Sequence, residues 1–493
     1  MSSAQARTDR RAWGVLVVLC GAIFLEGIDV AMLNVALPAI RADLGLSTGM
    51  LSGVVSAYVL GYGGFMLLGG RAADLLGRRR MFLTWLVVFL VFSGLGGFAT
   101  EGWLLLVARF ITGVAAAFLA PAGLALITGY FPEGPLRTRA LGVYAGIASG
   151  GFLLGLVAGG LLVSVGWRWV FFAPVLMSAA ILLAAIPLIE EPTRPADGPT
   201  RPTGEPAHAP RTAQPTRPGE SGKRFDLPGA VTITGAMLLL AYGVVRLEHG
   251  AAGLAGTSGV LAAGVALLAL FVVIERRSAD PLVRLGILRS APLVRTNLGA
   301  LLFMMAFAGF QFMLTLYLQE LRGWSPLQTG LAMVVVAIDV ALAPTVTPWL
   351  VNRFGNGRVL FVGMVLGALA YALFLPVASD WTYAAMLPSL LLIGLAFSLV
   401  YGPLTMAATE GVEDGEHGLA GGLLYTSIQF GTALGLSAVT AVAAIRAVDG
   451  SELDAIRAGL AVSAIAAALA ATSAAPALRH PAPNPEPVNF RPL

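Results

Sequence analysis

Charge is what this chain has least of. Only 12% of its 493 residues are Asp, Glu, Lys or Arg, against a hydrophobic share of 57%, whereas soluble domains are about one-quarter charged. That balance argues against a soluble enzyme or regulator and for an integral membrane protein. Cysteine is reduced to Cys20, and His208, His249, His417 and His480 are scattered, which argues against a disulfide framework and a clustered Cys/His metal site. Lysine is reduced to Lys223, followed by Arg224. A P-loop needs its lysine followed by Ser or Thr, so the chain carries no ATP motor of its own, and an ion gradient is the expected energy source. No cofactor is expected. Nucleophile–base constellations with useful spacing are also missing, which speaks against a membrane-embedded enzyme.

Long apolar runs are what the chain has most of. Fourteen are long enough to cross about 30 Å of hydrocarbon, from residues 13–37 to residues 458–475, with 228–245, 258–274 and 327–351 as the seventh, eighth and tenth. If the loops alternate from a cytoplasmic N-terminus, the outer ones hold only Arg41, Arg168, Arg246, Arg322, Arg446 and Arg457. The positive-inside rule therefore places both termini in the cytoplasm. The net charge of +4 is accordingly an orientation signal rather than a nucleic-acid footprint. Arginine-, alanine- and glycine-rich usage hints at a GC-rich bacterial genome, and hence at a bacterial cytoplasmic membrane.

The organisation predicted is a six-helix bundle over 1–189, a Pro-rich cytoplasmic linker over 190–226, two additional spans over 227–275, a second six-helix bundle over 276–475 and a disordered tail over 476–493. The linker's prolines, threonines and arginines cannot bury a core. The loop after the second run, Gly70 to Arg80, has a worn copy after the tenth, Asn352 to Arg358. Internal repeats of this kind mark secondary transporters.

Carboxylates inside apolar runs are costly and normally face a cavity or a partner. The first run holds Glu26 and Asp29, three residues apart on much the same helix face; two such neighbours should titrate as a coupled pair. Either can carry a proton, and each has a purely structural alternative. Arg109 in the fourth run needs an anionic partner, for which the first-run carboxylates are the obvious candidates. Asp339, central in the tenth run, either attracts a cationic substrate or carries a second proton, unless it is a buried partner for another helix. Phe307, Phe310 and Gln311 share one helix face, Phe312 points further round, and with Tyr401 they form a candidate aromatic surface that ordinary core packing would also explain.

The stretch Gly70-Arg-Ala-Ala-Asp74-Leu75-Leu-Gly77-Arg78-Arg79-Arg80 resembles motif A of the major facilitator superfamily, with Leu75 in place of a basic residue. Leu25-Glu-Gly-Ile-Asp29-Val-Ala31-Met-Leu-Asn34-Val-Ala-Leu-Pro38 is similar to the first-span pattern of that superfamily's fourteen-span drug/proton antiporters, with Ala31 for threonine. Arg109-Phe-Ile-Thr112-Gly113 looks like motif B. Gly151, Gly155, Gly159 and Gly160 align with motif C, the antiporter signature, but Leu156 stands where its proline is expected. Trp167-Arg168-Trp169-Val170-Phe171 and Gly418 to Gly431 match further family segments. The resemblance implies an all-α major facilitator fold of two six-helix bundles plus two extra helices. It also implies a monomer in the lipid bilayer that exchanges protons for amphipathic, cationic or aromatic drugs such as antibiotics by alternating access. By that resemblance Asp29 is the first choice for the proton carrier, with Arg109 as its movable partner, and Asn34 keeps the family spacing as a substrate-binding candidate; Glu26, outside the family pattern, is a second proton-coupling candidate, and Asp339 with the aromatic group are candidates to meet substrate on their placement in the spans alone. Gly70, Asp74, Gly77 and Arg78, with the motif C glycines, would serve the conformational change. Export of an endogenous metabolite, lipid or siderophore is the transporter alternative, and a non-transporting receptor or scaffold on the same fold is the other.

Overall fold

The computed structural model describes residues 3–131, 135–190, 226–245, 254–278, 285–338, 342–343, 345–410, 412, 417–447 and 450–476. The linker, the tail and Asp339 lie outside the described residues, as does the side chain of Asp74.

The first bundle is α1 (Ser3–Leu44), α2 (Thr48–Leu76), α3 (Arg78–Gly97), α4 (Gly102–Tyr130), α5 (Pro135–Val165) and α6 (Trp169–Leu188). Then come α7 (Leu227–Val245) and α8 (Leu254–Arg277). The second bundle holds α9 (Ala291–Leu316), α10 (Pro326–Met333), α11 (Val346–Phe354), α12 (Asn356–Phe374), α13 (Tyr383–Thr409), α14 (His417–Ala447) and α15 (Glu452–Ala474). Local chemistry sets several of these ends. Ser47 caps α2, Ser290 caps α9, and Ser325 with Gln328 forms a capping box at α10, supplying the acceptors that first-turn amides lack.

Twelve of the described helices are long and apolar enough to cross a membrane. The seventh and tenth runs instead give shorter apolar stretches, Val231–Leu240 and Pro326–Ala337. The tenth was expected as one continuous span, but it passes from α10 into a 3-10 turn, Val334–Ile338, where Ala337 leaves helical geometry at φ −83° and ψ 17°. Consecutive β-branched valines there crowd a regular helix.

The two bundles repeat one packing plan. In the first, α1 packs on α5 and α6, α4 on α2 and α3, and α3 on α6; in the second, α9 packs on α14 and α15, α13 on α12 and the turn after α10, and α12 on α15. The repeat extends to the loops. Gly77 between α2 and α3 has φ 97°, and Gly355 between α11 and α12 has φ 85°, a region that favours glycine. Between bundles, α2 crosses α14 and α5 crosses α10, while α7 lies against both α2 and α14. The outer faces carry exposed Val, Leu and Ile, such as Val17, Leu183, Val265 and Leu469, as hydrocarbon-facing helices require.

Candidate functional site

Helix α1 is the organising element. Gly151, Gly155 and Gly159 form a glycine seam that brings α5 against its backbone. A Cβ at Gly155 would lie 2.7 Å from the Ala31 Cβ, and one at Gly159 would lie 2.8 Å from the Met32 Cα. The neighbouring Gly160 does the same across the bundles, 2.6 Å from the Leu327 Cα, and Gly330 of α10 approaches the Leu156 carbonyl. The motif C stretch is thus a double interface. Its expected proline is replaced by the fully buried Leu156, and α5 runs unbroken. Gly146 and Gly150, earlier on the same helix, face open space.

Held this way, α1 presents three polar side chains to three different partners. Asp29 Oδ2 accepts from Arg109 Nη1 at 2.6 Å, with both side chains only 2% exposed. The Arg109 guanidinium also lies over the Tyr58 ring at 4.4 Å, and Nε finds no acceptor among the described residues. Glu26 is 6% exposed and accepts from the Tyr62 hydroxyl at 3.2 Å. Asn34 donates from Nδ2 to Gln311 Oε1 at 3.4 Å, joining α1 to α9 across the bundle interface.

Of the aromatic candidates, Phe307 packs on Phe397, which stacks on Tyr401. Phe310 turns instead to Tyr371 and Phe374 of α12, and Phe312 is fully buried. Tyr401 hydrogen-bonds Tyr425 of α14. The structure therefore brings Asp29 to Arg109, Asn34 to Gln311 and Phe307 towards Tyr401, while Phe310 packs within the second bundle.

The end of the molecule away from the linker is closed. Arg41 of α1 pairs with Glu320 of the second bundle at 2.8 Å, and Gln319 donates to the Val35 carbonyl at 2.9 Å. Glu320 and Gln319 sit in a π-helical turn, Tyr317–Leu321, that extends α9. At the linker end, Arg78 and Arg79 after the Gly77 turn do more than bias topology. Arg78 donates to the Ala125 carbonyl of α4, and Arg79 to the Ile186 and Ile189 carbonyls at the end of α6. There they offset the negative ends of those helices. Gly70 makes only ordinary contact with Pro121 of α4.

Sequence reasoning passed over Tyr58, Tyr62, Tyr144 and Tyr425, and the Arg41–Glu320 pair. The available signal was weak but real: a buried tyrosine within an apolar span needs a partner for its hydroxyl.

Three comparisons bear on this arrangement. A cephamycin export protein of Amycolatopsis lactamdurans is 34% identical over 90% of this chain and 87% of its own. A puromycin resistance protein of Streptomyces alboniger is 33% identical over 90% of this chain and 84% of its own. Among solved structures, the POT family transporter PepTSo superposes with a TM-score of 0.66 at 16% identity, covering 95% of this chain and 98% of its own. A bacterial homologue of the lysosomal transporter Spinster, in an inward-facing and unoccupied conformation, gives 0.63 at 17% identity over 95% and 97%. These two likenesses concern the fold. The Major Facilitator Superfamily profile matches residues 19–436, and the chain belongs to that family of multi-pass membrane transporters.

Proposed function

We propose that this protein is a proton-coupled exporter of amphipathic small molecules, antibiotics among them, crossing the bacterial cytoplasmic membrane fourteen times with both termini inside. The observation that carries the coupling is the fully buried Asp29–Arg109 pair. A proton on Asp29 cancels the attraction that holds Arg109, and so gives α1 and α4 two discrete arrangements for one chemical input. Substrate export is supported by relatives named for cephamycin export, puromycin resistance, lincomycin resistance and tetracenomycin C resistance and export.

In the proposed cycle the end sealed by Arg41–Glu320 is the outer one. Substrate enters from the cytoplasm or inner leaflet while Asp29 is ionised and paired. The bundles rock about the α2–α14 and α5–α10 crossings, and a proton from outside protonates Asp29 as substrate leaves. The α7–α8 pair rides on the α2–α14 seam, where Thr234 of α7 donates to the Gly64 carbonyl at 2.8 Å.

The test is efflux from proteoliposomes of known orientation under an imposed proton gradient, with ethidium as probe. Wild type should move ethidium against its gradient and collapse with a protonophore. Asp29→Asn, reconstituted at equal density, should lose gradient-driven flux; unchanged flux in that variant would remove Asp29 from the coupling role.

A further inference from the structure

Glycine contacts put the two halves of the chain in register. Cβ atoms at Gly151 and Gly155 of α5 would meet the Phe24 and Ile28 carbonyls of α1, and at Gly431 and Gly435 of α14 they would meet the Leu301 and Met305 carbonyls of α9. Phe24 therefore answers to Leu301 and Ile28 to Met305, each pair 277 residues apart, and the same step carries Asn34 to Gln311. Those two residues are one position occurring twice, and they touch. Asn34 Nδ2 donates to Gln311 Oε1 at 3.4 Å, with the residues 9% and 7% exposed.

Contact between equivalent positions of two related halves falls on the axis that relates them, as at the centre of a two-fold dimer. In transporters built from such halves the axis runs along the membrane normal, and the solute path follows the interface between the halves. Asn34 and Gln311 thus lie across the middle of that path. Along α1, Asn34 stands about 7.5 Å beyond Asp29 towards the sealed end, and Arg41 stands about 10 Å further on. The Arg41–Glu320 pair is not axial, since the same step takes Arg41 to Leu318 and Asp43 to Glu320. Side-chain chemistry fits the axial position. Like charges facing each other across an axis repel, and a group that only donates or only accepts cannot bond its own copy, whereas an amide carries both functions. One long hydrogen bond between neutral amides is also a weak closure, opened at little cost.

We propose that Asn34 and Gln311 form an uncharged axial barrier in the solute path, in series with the Arg41–Glu320 seal and nearer the core, which shuts the Asp29–Arg109 pair off from the sealed end. The inference rests on the exporter reading for what crosses the barrier; the barrier itself rests on the register and the contact. The two closures differ in chemistry. The one at the mouth is charged, with its side chains 35% and 24% exposed, and the inner one is neutral and buried, so it closes the path without favouring either sign of charge.

The experiment follows a Glu26→Cys reporter in a Cys20→Ser background, labelled by the impermeant thiol reagent MTSET applied to full-length protein in proteoliposomes whose sealed end faces out. Adding Glu320→Gln alone should leave the reporter labelling slowly, because the inner barrier still stands. Adding Asn34→Ala/Gln311→Ala to Glu320→Gln should speed labelling up to about tenfold, the scale of one lost hydrogen bond. Exchanging the two side chains instead, Asn34→Gln/Gln311→Asn with Glu320→Gln, should keep labelling slow, since both amides remain on the axis; this variant also guards against a merely loosened fold. Labelling as fast in Glu320→Gln alone as with the alanine pair added, or no faster with the alanine pair, overturns the barrier. An exchange variant that labels as fast as the alanine pair overturns it too. The expected order of labelling without gradient-driven ethidium flux in the wild type overturns the exporter reading and leaves the barrier standing.

Discussion

Removing one charge of the Asp29–Arg109 pair should destabilise the first bundle more than removing both. At the 2.6 Å separation of Asp29 and Arg109, an effective dielectric near 20 gives an attraction of about 6 kcal/mol. Asp29→Asn keeps a hydrogen-bonding oxygen but leaves Arg109 charged and 2% exposed, facing only the Tyr58 ring at 4.4 Å, a contact worth about 1–2 kcal/mol. That contact is present in the wild type too and offsets nothing; the oxygen that Asn keeps recovers part of the attraction, which leaves the roughly 3–5 kcal/mol typical of breaking a buried pair from one side. The double variant Asp29→Leu/Arg109→Met buries no orphan charge and should recover most of that loss, though not proton-driven transport. The chain supplies its own reporter. Cys20, its single cysteine, is buried in α1, so a thiol-reactive fluorophore lights up when that helix loosens on heating. The expected order of midpoints is wild type, then the double variant close behind, then Asp29→Asn clearly lowest. A single variant as stable as wild type, or a double variant no better than the single, would refute the claim that the pair is a mutually dependent buried charge pair.

Other expectations follow from the same contacts. Gly155→Leu should prevent α5 from seating on α1, since even its Cβ meets the Ile28 carbonyl at 2.8 Å, whereas Gly146→Ala faces open space and should match or slightly exceed wild type in the same thermal assay. Gly77→Ala and Gly355→Ala, at φ 97° and 85°, should each cost about 1–3 kcal/mol, and a loss at only one of them would break the structural equivalence of the two turns. Glu320→Gln should increase labelling of an Asn34→Cys reporter by an impermeant thiol reagent from the sealed end about two- to fivefold, the scale of a partly exposed ion pair. The swap Arg41→Glu/Glu320→Arg should reverse that gain, and unchanged labelling in Glu320→Gln would show that the pair does not hold the seal.

The general architecture was legible because hydrocarbon imposes long apolar runs, and those runs are counted as easily as read. The loop around Gly77 was legible because it parts two apolar runs, whereas its positive φ of 97° is a finding of the structure. The Arg109 partnership was legible on cost alone: a buried guanidinium demands an anion, and the first run offers two. Which of the two it takes was not legible. Glu26 and Asp29 share a helix face, and only the placement of α2 and α4 around α1 sends Asp29 to Arg109 and Glu26 to Tyr62. The glycine seam shows the same limit. Gly146, Gly150, Gly151 and Gly155 look alike in sequence, but the helix rotation that puts Gly151 and Gly155 on α1 turns Gly146 and Gly150 to open space. Interruption of the tenth run escaped notice because Val-Val-Val reads as apolar span whether or not it holds a regular helix.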